Sequence, residues 1–368
     1  MDATNFLYDE DDWRVLLSFL PSGWEGKAKE LGALKRARGF KDSETLLRVL
    51  LMHIAGGDSL RVTAEKAKLS NLANVSDVAL YKRLSKSSEW LRWLAENLSN
   101  SWFHRSVDNV YGMNKTIRLI DGSTVQEPGA TGTTWRLHYS VNLRNLSCDE
   151  VHLTSPKEGE ALWRFKINPG DLIIADRGFC GRPSLEHVVS HQGDFIIRFC
   201  TNLPLLDNKN NSFDFLKYIK ELKTNQIGDW DVKLELGGKL TPARLCAIKK
   251  SKEAAELEIS RLMRIAGRKD KVPKEKSLEA AKYILVLTTL GREYSPSQIL
   301  EYYRYRWQVE IVFKRLKSII GLGHLKKYDE LSAKAWLHGK LLVAFLIEAI
   351  VSAGTNFSPW GYKTPLCE

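Results

Sequence analysis

A short stretch in the last fifth of the chain, YRYRWQVEIVFKRLK (303–317), places four reactive side-chain types at helical spacing. They are Tyr303, Arg306, Glu310 and Lys317, separated by three, four and seven residues. At about 100° of rotation per helical residue, the last three lie within about 60° of Tyr303, so all four share one stripe. A single glutamate would then lie among a phenol, a guanidinium and an ammonium group. Taken alone, the stripe is typical of a solvated helix face with an Arg–Glu ion pair.

Two aspartates follow apolar, strand-like segments earlier in the chain. Asp121 ends KTIRLID (115–121), and Asp176 ends DLIIAD (171–176). Residues at the carboxyl ends of neighbouring strands face one crevice, where open sheets bind ligands. With Glu310 from the late helix, three carboxylates would converge there and repel one another unless divalent cations neutralised them. Oxygen-only ligands suit Mg²⁺ or Mn²⁺, and two such ions about 3.5–4 Å apart promote in-line phosphoryl displacement.

The ordered set of motifs resembles that of a known family. LIDGSTV (119–125), IIADRGF (173–179) and Y-x2-R-x3-E-x6-K (303–317) look like the motifs of DDE transposases of the insertion-sequence-four type. The resemblance covers residues 116–200 and 283–326 well, and the amino-terminal helices only loosely. Each motif alone is weak, but the set in this order and spacing is specific.

The resemblance implies a role for each motif residue. The catalytic residues, which would hold two Mg²⁺ or Mn²⁺ ions, are Asp121, Asp176 and Glu310. The residues that would contact DNA phosphates at the transposon end are Tyr303, Arg306 and Lys317. Forked Arg contacts, a Lys point charge and a Tyr hydroxyl all suit phosphate. Arg177 and Trp135 are DNA-contact candidates by position, and Trp230 could stack on a displaced base, although core packing is the commoner role of tryptophan.

The order of strand-like and helix-like segments predicts the fold that positions these residues. Three segments with alternating hydrophobicity predict an antiparallel meander: 115–125, 133–143 and 149–155. The expected later elements are a helix at 158–165, a buried strand within 171–181, a helix at 182–193 and a strand at 194–200. This order predicts an α/β fold with a ribonuclease-H-like mixed sheet flanked by helices, in which the first and fourth strands are adjacent.

A second β-rich region interrupts this plan. Gly237-Gly238 between two strand-like segments predicts a hairpin, and a basic, helix-prone tract follows at 251–282. The resemblance implies that 201–282 is the β-strand insertion these enzymes carry. A core strand, a long helix (295–323) and a last apolar helix (333–353) complete the chain. The predicted divisions are a helical DNA-binding domain (1–110), the first part of the catalytic core (111–200), an inserted β-rich subdomain (201–282) and the second part of the core with terminal helices (283–368).

The amino-terminal region reads as helical. Capped, apolar segments predict helices at 43–57, 59–69 and 76–98. The last two resemble a helix-turn-helix, with Lys82 and Arg83 near the start of its second helix as DNA-binding candidates. Plain helical packing is an equally good interpretation, because any small helical bundle shows this pattern.

Composition limits the classes of function. The 368 residues carry a net charge of +11, which favours an anionic partner, nucleic acid before membrane. No apolar run approaches the ~20 residues needed to span a bilayer. Five scattered cysteines without a C-x-x-C pair argue against a disulfide framework and a structural zinc site. An acidic start without an apolar signal region predicts a cytoplasmic protein, and the resemblance implies a bacterial, nucleoid-associated one.

Two other polar pairs have weaker claims to chemistry. Asp149 and Glu150 are adjacent in a strand, so their side chains should face opposite ways and cannot both enter one site. His187 and His191 form an i,i+4 pair that could hold zinc, but no Cys or acidic cluster adjoins them.

The resemblance implies a DNA transposase that binds terminal inverted repeats and catalyses metal-dependent DNA cleavage and strand transfer, by cut-and-paste transposition. Its partners would be the transposon ends, the target DNA and a second copy of the chain, since two ends must be joined. Two alternatives remain open: a ribonuclease-H-like nuclease, and a catalytically silent, domesticated DNA-binding protein. The central expectation is that Glu310 points into the crevice between the strands that carry Asp121 and Asp176.

Overall fold

A mixed eight-stranded sheet forms the centre of the molecule. The computed structural model describes residues 10–103, 114–126, 135–144, 146–155, 157–268, 270–323, 325 and 329–356. The strand order is β3-β2-β1-β4-β5-β8-β7-β6. The strands are β1 (Thr116–Val125), β2 (Trp135–Asn142), β3 (Ser147–Thr154), β4 (Asp171–Ala175), β5 (Asp194–Arg198), β6 (Ile227–Leu236), β7 (Lys239–Lys249) and β8 (Tyr283–Thr288).

The first five strands follow the expected ribonuclease-H-like plan. β1, β2 and β3 form the predicted antiparallel meander. β4 pairs parallel with β1, and β5 pairs parallel with β4, so the first and fourth strands are adjacent as predicted. Every residue of β4 is buried, because both faces of the sheet are covered.

The predicted insertion is integrated into the main sheet. Gly237 and Gly238 both have positive φ, 54° and 73°, and join β6 and β7 in the predicted hairpin. β7 then pairs antiparallel with β8 and continues the central sheet. The hairpin of the predicted β-rich insertion is therefore part of the central sheet, because β7 fills the open edge of β8. The division of 201–282 as a subdomain stays a prediction.

Thirteen α-helices within the described residues surround the sheet. They are α1 (Glu10–Ser18), α2 (Trp24–Glu30), α3 (Ser43–Gly56), α4 (Leu60–Leu69), α5 (Asp77–Lys86), α6 (Ser88–Phe103), α7 (Arg182–Ser190), α8 (Phe215–Lys220), α9 (Lys252–Gly267), α10 (Glu275–Ala281), α11 (Pro296–Arg304), α12 (Trp307–Ser318) and α13 (Glu330–Asn356). None of these helices is long and apolar enough to cross a membrane.

Three predicted helices differ from the structure. The segment 76–98 is divided into α5 and α6 at Ser87, whose hydroxyl donates to the Arg83 carbonyl at 2.8 Å. Such a local side-chain bond competes with the helical ladder. The segment 158–165 contains only a 3₁₀ turn at Leu162–Arg164. The long helix 295–323 is divided into α11 and α12.

The sheet separates two hydrophobic cores. On one face, Leu172 and Ile174 of β4 join a core that includes the amino-terminal helices, α12 and α13. On the other face, Ile173 and Ala175 join a core with α7 and α8. The last helix, α13, packs against α3, α5 and α6. The amino-terminal helices therefore share a core with the sheet, and the predicted boundary at residue 110 lies outside the described residues.

Candidate active site

Parallel pairing places the two aspartates side by side. The last register pair of β1 and β4 is Ile120 with Ala175, and Asp121 and Asp176 directly follow it. Ile120 and Ala175 both belong to the core on the α7 face. Because side chains alternate along a strand, both aspartates turn toward the face covered by α12. The prediction that Asp121 ends its strand is wrong, since β1 continues to Val125 beside β2, but Asp121 does follow the end of the pairing with β4.

A tight turn between α11 and α12 shapes the other side of this crevice. The amides of Tyr305, Arg306 and Val309 each donate to the carbonyl three residues earlier. Bonds of this i→i−3 type tighten the helix into a 3₁₀ turn, which often marks a functional hinge. The prediction of one stripe assumed a continuous helix from Tyr303 to Lys317. The helix is instead interrupted at Arg306, which directly precedes α12.

Arg306 connects the helix to the first strand. Its Nη1 lies 3.3 Å from Oδ2 of Asp121, and its Nη2 donates to Oε1 of Glu310 at 2.5 Å. The Arg306 side chain is only 17% exposed, whereas that of Glu310 is 43% exposed. Glu310 thus lies on the Asp121 side of α12, and one guanidinium neutralises both carboxylates.

Tyr303 connects α11 to the second aspartate. Its hydroxyl donates a long hydrogen bond, 3.4 Å, to Oδ1 of Asp176. Burial raises the pKa of Tyr303 to about 12, and the negative charge of Asp176 adds to this effect. The phenol therefore stays protonated and acts as a hydrogen-bond donor.

The acids and Arg306 together form a charge cluster in a partly buried crevice. Burial raises the pKa of Asp121 to about 6; the Gly122 amide and Arg306 oppose this rise, while Asp176 and Glu160 add to it. Repulsion among these carboxylates is a condition that a bound cation relieves. Their oxygen-only donor set fits a divalent cation such as Mg²⁺. Within the described residues, no three acidic, His or Cys side chains converge closely enough to hold an ion as they stand.

Glu160 is an acidic residue near the two aspartates that the sequence reasoning missed. It lies in the loop before β4, and its carboxylate contacts the positions of Gly122 and Gly178, next to the two aspartates. Burial raises the pKa of Glu160, with Arg136 opposing and Asp176 adding to the shift. The sequence predicts a helix at 158–165, and nothing in that pattern sets Glu160 apart from its neighbours, so only the tertiary structure shows where its carboxylate lies.

A group of cations adjoins Asp176. Arg177 is exposed, and near it lie Arg198 and Lys250, which the sequence reasoning did not select. Burial lowers the pKa of Lys250 to about 8, and the positive charges of Arg198 and Arg177 lower it further. Mutual repulsion of this kind makes the cluster a ready contact for an anion such as a DNA phosphate.

The remaining predicted DNA-binding residues differ in their surroundings. Lys317 is half-buried on α12, and burial lowers the pKa of its ammonium group. Lys82 is exposed on α5, whereas Arg83 donates to the carbonyls of Ala33 and Arg36 at 3.3 and 2.9 Å. Arg83 thus holds the segment after α2 in place. Its DNA-binding role stays a prediction, as do those of Lys317 and Lys82.

The predicted helix-turn-helix does not have the usual turn. The helices α4 and α5 do pack together, but residues 70–76 connect them. This connection is longer than the turn of roughly three to four residues in a helix-turn-helix. The contacts of α5 with α13 favour the packing interpretation for this region.

The adjacent acids Asp149 and Glu150 converge on one residue, contrary to expectation. Arg118, whose side chain is 5% exposed, binds Asp149 at 2.8 Å and Glu150 at 2.9 Å, and also Asp171. A shift in the β2–β3 register between Ser140 and Val141 leaves Asp149 out of the pairing. This bulge interrupts the strand alternation that the prediction assumed.

The two tryptophans proposed as DNA contacts are packed in the protein. Trp135 is only 6% exposed and belongs to the core under α13. Trp230 packs against Tyr218, with 5.9 Å between ring centroids. His187 and His191 lie near the backbone carbonyls of Phe165 and His187, with N–O distances of 3.0 and 2.8 Å.

Comparison with known proteins identifies the family. Residues 113–346 match the transposase DDE domain. InsL of insertion sequence element IS186A from Escherichia coli (strain K12) is 34% identical over 362 residues, covering 96% of this chain and 97% of that protein. The transposase for insertion sequence element IS421 from Escherichia coli is 34% identical over 363 residues, with the same coverage. The transposase for IS231F from Bacillus thuringiensis subsp. israelensis is 29% identical over 209 residues, 49% of this chain and 41% of its own. With these matches and the spacing from Tyr303 to Lys317, the chain belongs to the DDE transposases of the insertion-sequence-four type.

Proposed function

We propose that the protein binds the terminal inverted repeats of an insertion element, hydrolyses the phosphodiester at each end and joins the freed 3′-hydroxyl to target DNA. Asp121, Asp176 and Glu310 hold two divalent cations, Mg²⁺ or Mn²⁺. The observation that carries this proposal is the contact of Arg306 with both Asp121 and Glu310. This contact supports the proposal because it links an acid of α12 to Asp121 of the sheet, and phosphoryl transfer by bound cations needs such acids near one another.

Arg306 exchanges partners when DNA binds. A guanidinium makes forked hydrogen bonds to phosphate as readily as to carboxylate. A phosphate of the transposon end therefore competes for Arg306 and releases the carboxylates of Asp121 and Glu310. Divalent cations held by Asp121, Asp176 and Glu310 would supply Lewis-acid stabilisation and lower the pKa of the attacking water. Tyr303 keeps its proton and orients Asp176 or a phosphate oxygen.

Further cations extend the DNA path on either side of the acids. Lys317 lies seven residues beyond Glu310 on α12, and Arg177 directly follows Asp176. Arg198 and Lys250 enlarge the cationic surface beside Arg177. The amino-terminal helices, with exposed Lys82, contribute a second DNA contact. Two transposon ends must meet for joining, so a homodimer assembles on the DNA.

Cleavage of a supercoiled plasmid that carries the element tests the proposal. With Mg²⁺ or Mn²⁺, the wild-type protein should cut at the element ends, and Asp121→Asn and Glu310→Gln should each lose about a hundredfold or more of this activity. Glu301→Gln, at an exposed position of α11, is the matched control and should cut normally. End binding without cleavage by the wild type would contradict the proposal. Cleavage that ignores the end sequence would favour a nuclease.

A further inference from the structure

A short basic loop joins α2 to α3, away from the candidate active site. Its sequence, KRARGFK (35–41), contains four cations in seven positions: Lys35, Arg36, Arg38 and Lys41. All four side chains are exposed, and among the described residues none of them forms an ion pair. Like charges this close repel one another, so the loop has a concentrated and uncompensated positive charge.

Other cations of the amino-terminal helices are neutralised by acids. Lys27 of α2 binds Glu30 at 2.7 Å, and Lys66 of α4 binds Asp58 at the same distance. Neutralisation by an internal acid is therefore found on either side of the basic loop in the sequence, but not in the loop itself. An external anion can bind these four cations without displacing an acid of the protein.

Buried residues hold the backbone of the basic loop in place. Phe40 is 2% exposed, and Leu34, directly before the loop, is 8% exposed. Gly39 has a φ of 78°, and a Cβ atom added there would lie 2.5 Å from Cγ1 of Val75. Glycine therefore allows the loop to pack closely against the connection between α4 and α5. The loop is fixed on its inner side while its charged side chains remain exposed.

Arg83 of α5 binds the backbone at the start of the basic loop. Its Nη1 donates to the carbonyl of Ala33 at 3.3 Å, and its Nη2 donates to the carbonyl of Arg36 at 2.9 Å. Both acceptors are backbone atoms, so these bonds involve none of the four cationic side chains. A loop held in one conformation loses less entropy on binding than a flexible loop does. Arg83 thus preorganises the loop for a ligand.

We propose that the basic loop (35–41) binds the phosphate backbone of double-stranded DNA, and that Arg83 is a positioning residue for this surface. This inference rests on the proposed function, in which the protein holds the ends of an insertion element. Clustered Lys and Arg side chains form the electrostatic surface that nucleic acids bind, and Arg makes forked contacts to phosphate. Because Lys82 adjoins Arg83 on α5, the loop extends the second DNA contact of the amino-terminal helices.

Fluorescence anisotropy in EDTA measures the binding of a labelled end duplex without cleavage. The double variant Arg36→Ala with Arg38→Ala removes two charges and keeps both carbonyls that Arg83 binds. It should raise the Kd about tenfold or more and reduce the slope of log Kd against log salt by about two. Lys66→Ala is the matched control, since the charge of Lys66 is paired with Asp58, and it should leave the slope unchanged. Urea unfolding should show both proteins to be folded.

Arg83→Ala distinguishes positioning from direct contact with DNA. The variant keeps all four cations of the loop but frees its backbone, so the Kd should rise while the salt slope stays that of the wild type. A slope reduced by about one would show that Arg83 itself contacts a phosphate, and would overturn its positioning role. An unchanged Kd would overturn that role as well.

Two duplexes identify the DNA that the basic loop binds. An equal loss for the end duplex and for a scrambled duplex of the same length would support backbone contact with any DNA, because phosphates carry no sequence information. A loss for the end duplex alone would support contact with the transposon end. A wild-type Kd and slope for the double variant would overturn the role of the loop alone. Failure of the wild type to bind end DNA would overturn the proposed function together with it.

Discussion

Nη1 of Arg306 lies 3.3 Å from Oδ2 of Asp121, across 185 positions of sequence. The same guanidinium binds Glu310 through Nη2. In the absence of DNA, the positive charge that the family motif assigns to phosphate thus neutralises two of the three motif acids. In the free protein, Arg306 therefore forms internal ion pairs with two motif acids. A DNA phosphate must displace these acids from Arg306, and a cation must displace Arg306 from the acids.

Removal of Arg306 should therefore have opposite effects on two ligands. Arg306→Ala should weaken binding of transposon-end DNA, because a forked phosphate contact is lost. It should also tighten Mn²⁺ binding to the DNA-free protein by about fivefold, because an ion pair worth about 1 kcal/mol no longer competes. Calorimetric titration measures the affinity for Mn²⁺, and gel-shift assays measure the affinity for end DNA. Arg304→Ala, at an exposed position of α11, is the control. Weaker Mn²⁺ binding by Arg306→Ala would refute the competition.

The raised pKa of Asp121 predicts the pH dependence of stability. The pKa of Asp121 is about 6 in the folded protein and 3.8 in the unfolded chain, so the folded protein binds the proton more tightly. The stability gained from this protonation is fully present below about pH 4 and is lost as the pH rises through 6. In EDTA at pH 7.5, Asp121→Asn should exceed the wild type in free energy of unfolding by up to about 3 kcal/mol.

Urea unfolding at pH 4 and pH 7.5 measures this difference. The stability advantage of Asp121→Asn should nearly vanish at pH 4, where the wild-type carboxyl is protonated. Glu256→Gln, at an exposed position of α9, provides the control and should follow the wild type at both pH values. An equal pH slope for wild type and Asp121→Asn would show that Asp121 is not the titrating group.

Lys317 should contribute one phosphate contact to end binding. Lys317→Ala should raise the Kd for end DNA and reduce the slope of log Kd against log salt by about one. Arg315→Ala is the control, because it removes a positive charge from an exposed position of the same helix. The charge of Arg315 acts on Glu348 of α13. Arg315→Ala should leave the slope unchanged. Fluorescence anisotropy over a series of salt concentrations measures both, and an unaltered slope for Lys317→Ala would exclude a phosphate contact.

Arg118 should be essential for the stability of the meander. Arg118→Ala would leave Asp149 and its acidic neighbours buried without their cation, at a cost of about 3–5 kcal/mol. Arg118→Lys should restore only part of this, since an ammonium cannot make the forked contacts. Lys66→Ala, which breaks an exposed pair with Asp58, should change stability by less than about 1 kcal/mol. Urea unfolding measures the free energy of unfolding of the three variants. A decrease of less than about 1 kcal/mol for Arg118→Ala would contradict a stabilising role of Arg118.

Local patterns were enough to predict most of the strands. The alternation in 115–125 and the apolar run before Asp176 both correspond to observed strands. A strand buried on one face shows alternating hydrophobicity along the sequence, and a strand buried on both faces shows a continuous apolar run. The same reasoning failed at Ser87 and at Tyr305. There, a side-chain hydrogen bond and a tight i→i−3 turn interrupt helices whose composition would allow them to continue.

The sequence by itself determined which residues matter as a set: the spacing of Tyr303, Arg306, Glu310 and Lys317, and the two strand aspartates, identify the family. Only the tertiary structure decided their pairing. Periodicity fixes the face on which a side chain lies, but it contains no distance between residues far apart in the chain. The β1–β4 register sets Asp121 beside Asp176, and the turn before α12 directs Arg306 at Asp121. The placement of Glu160 against two glycines depends on the same long-range packing.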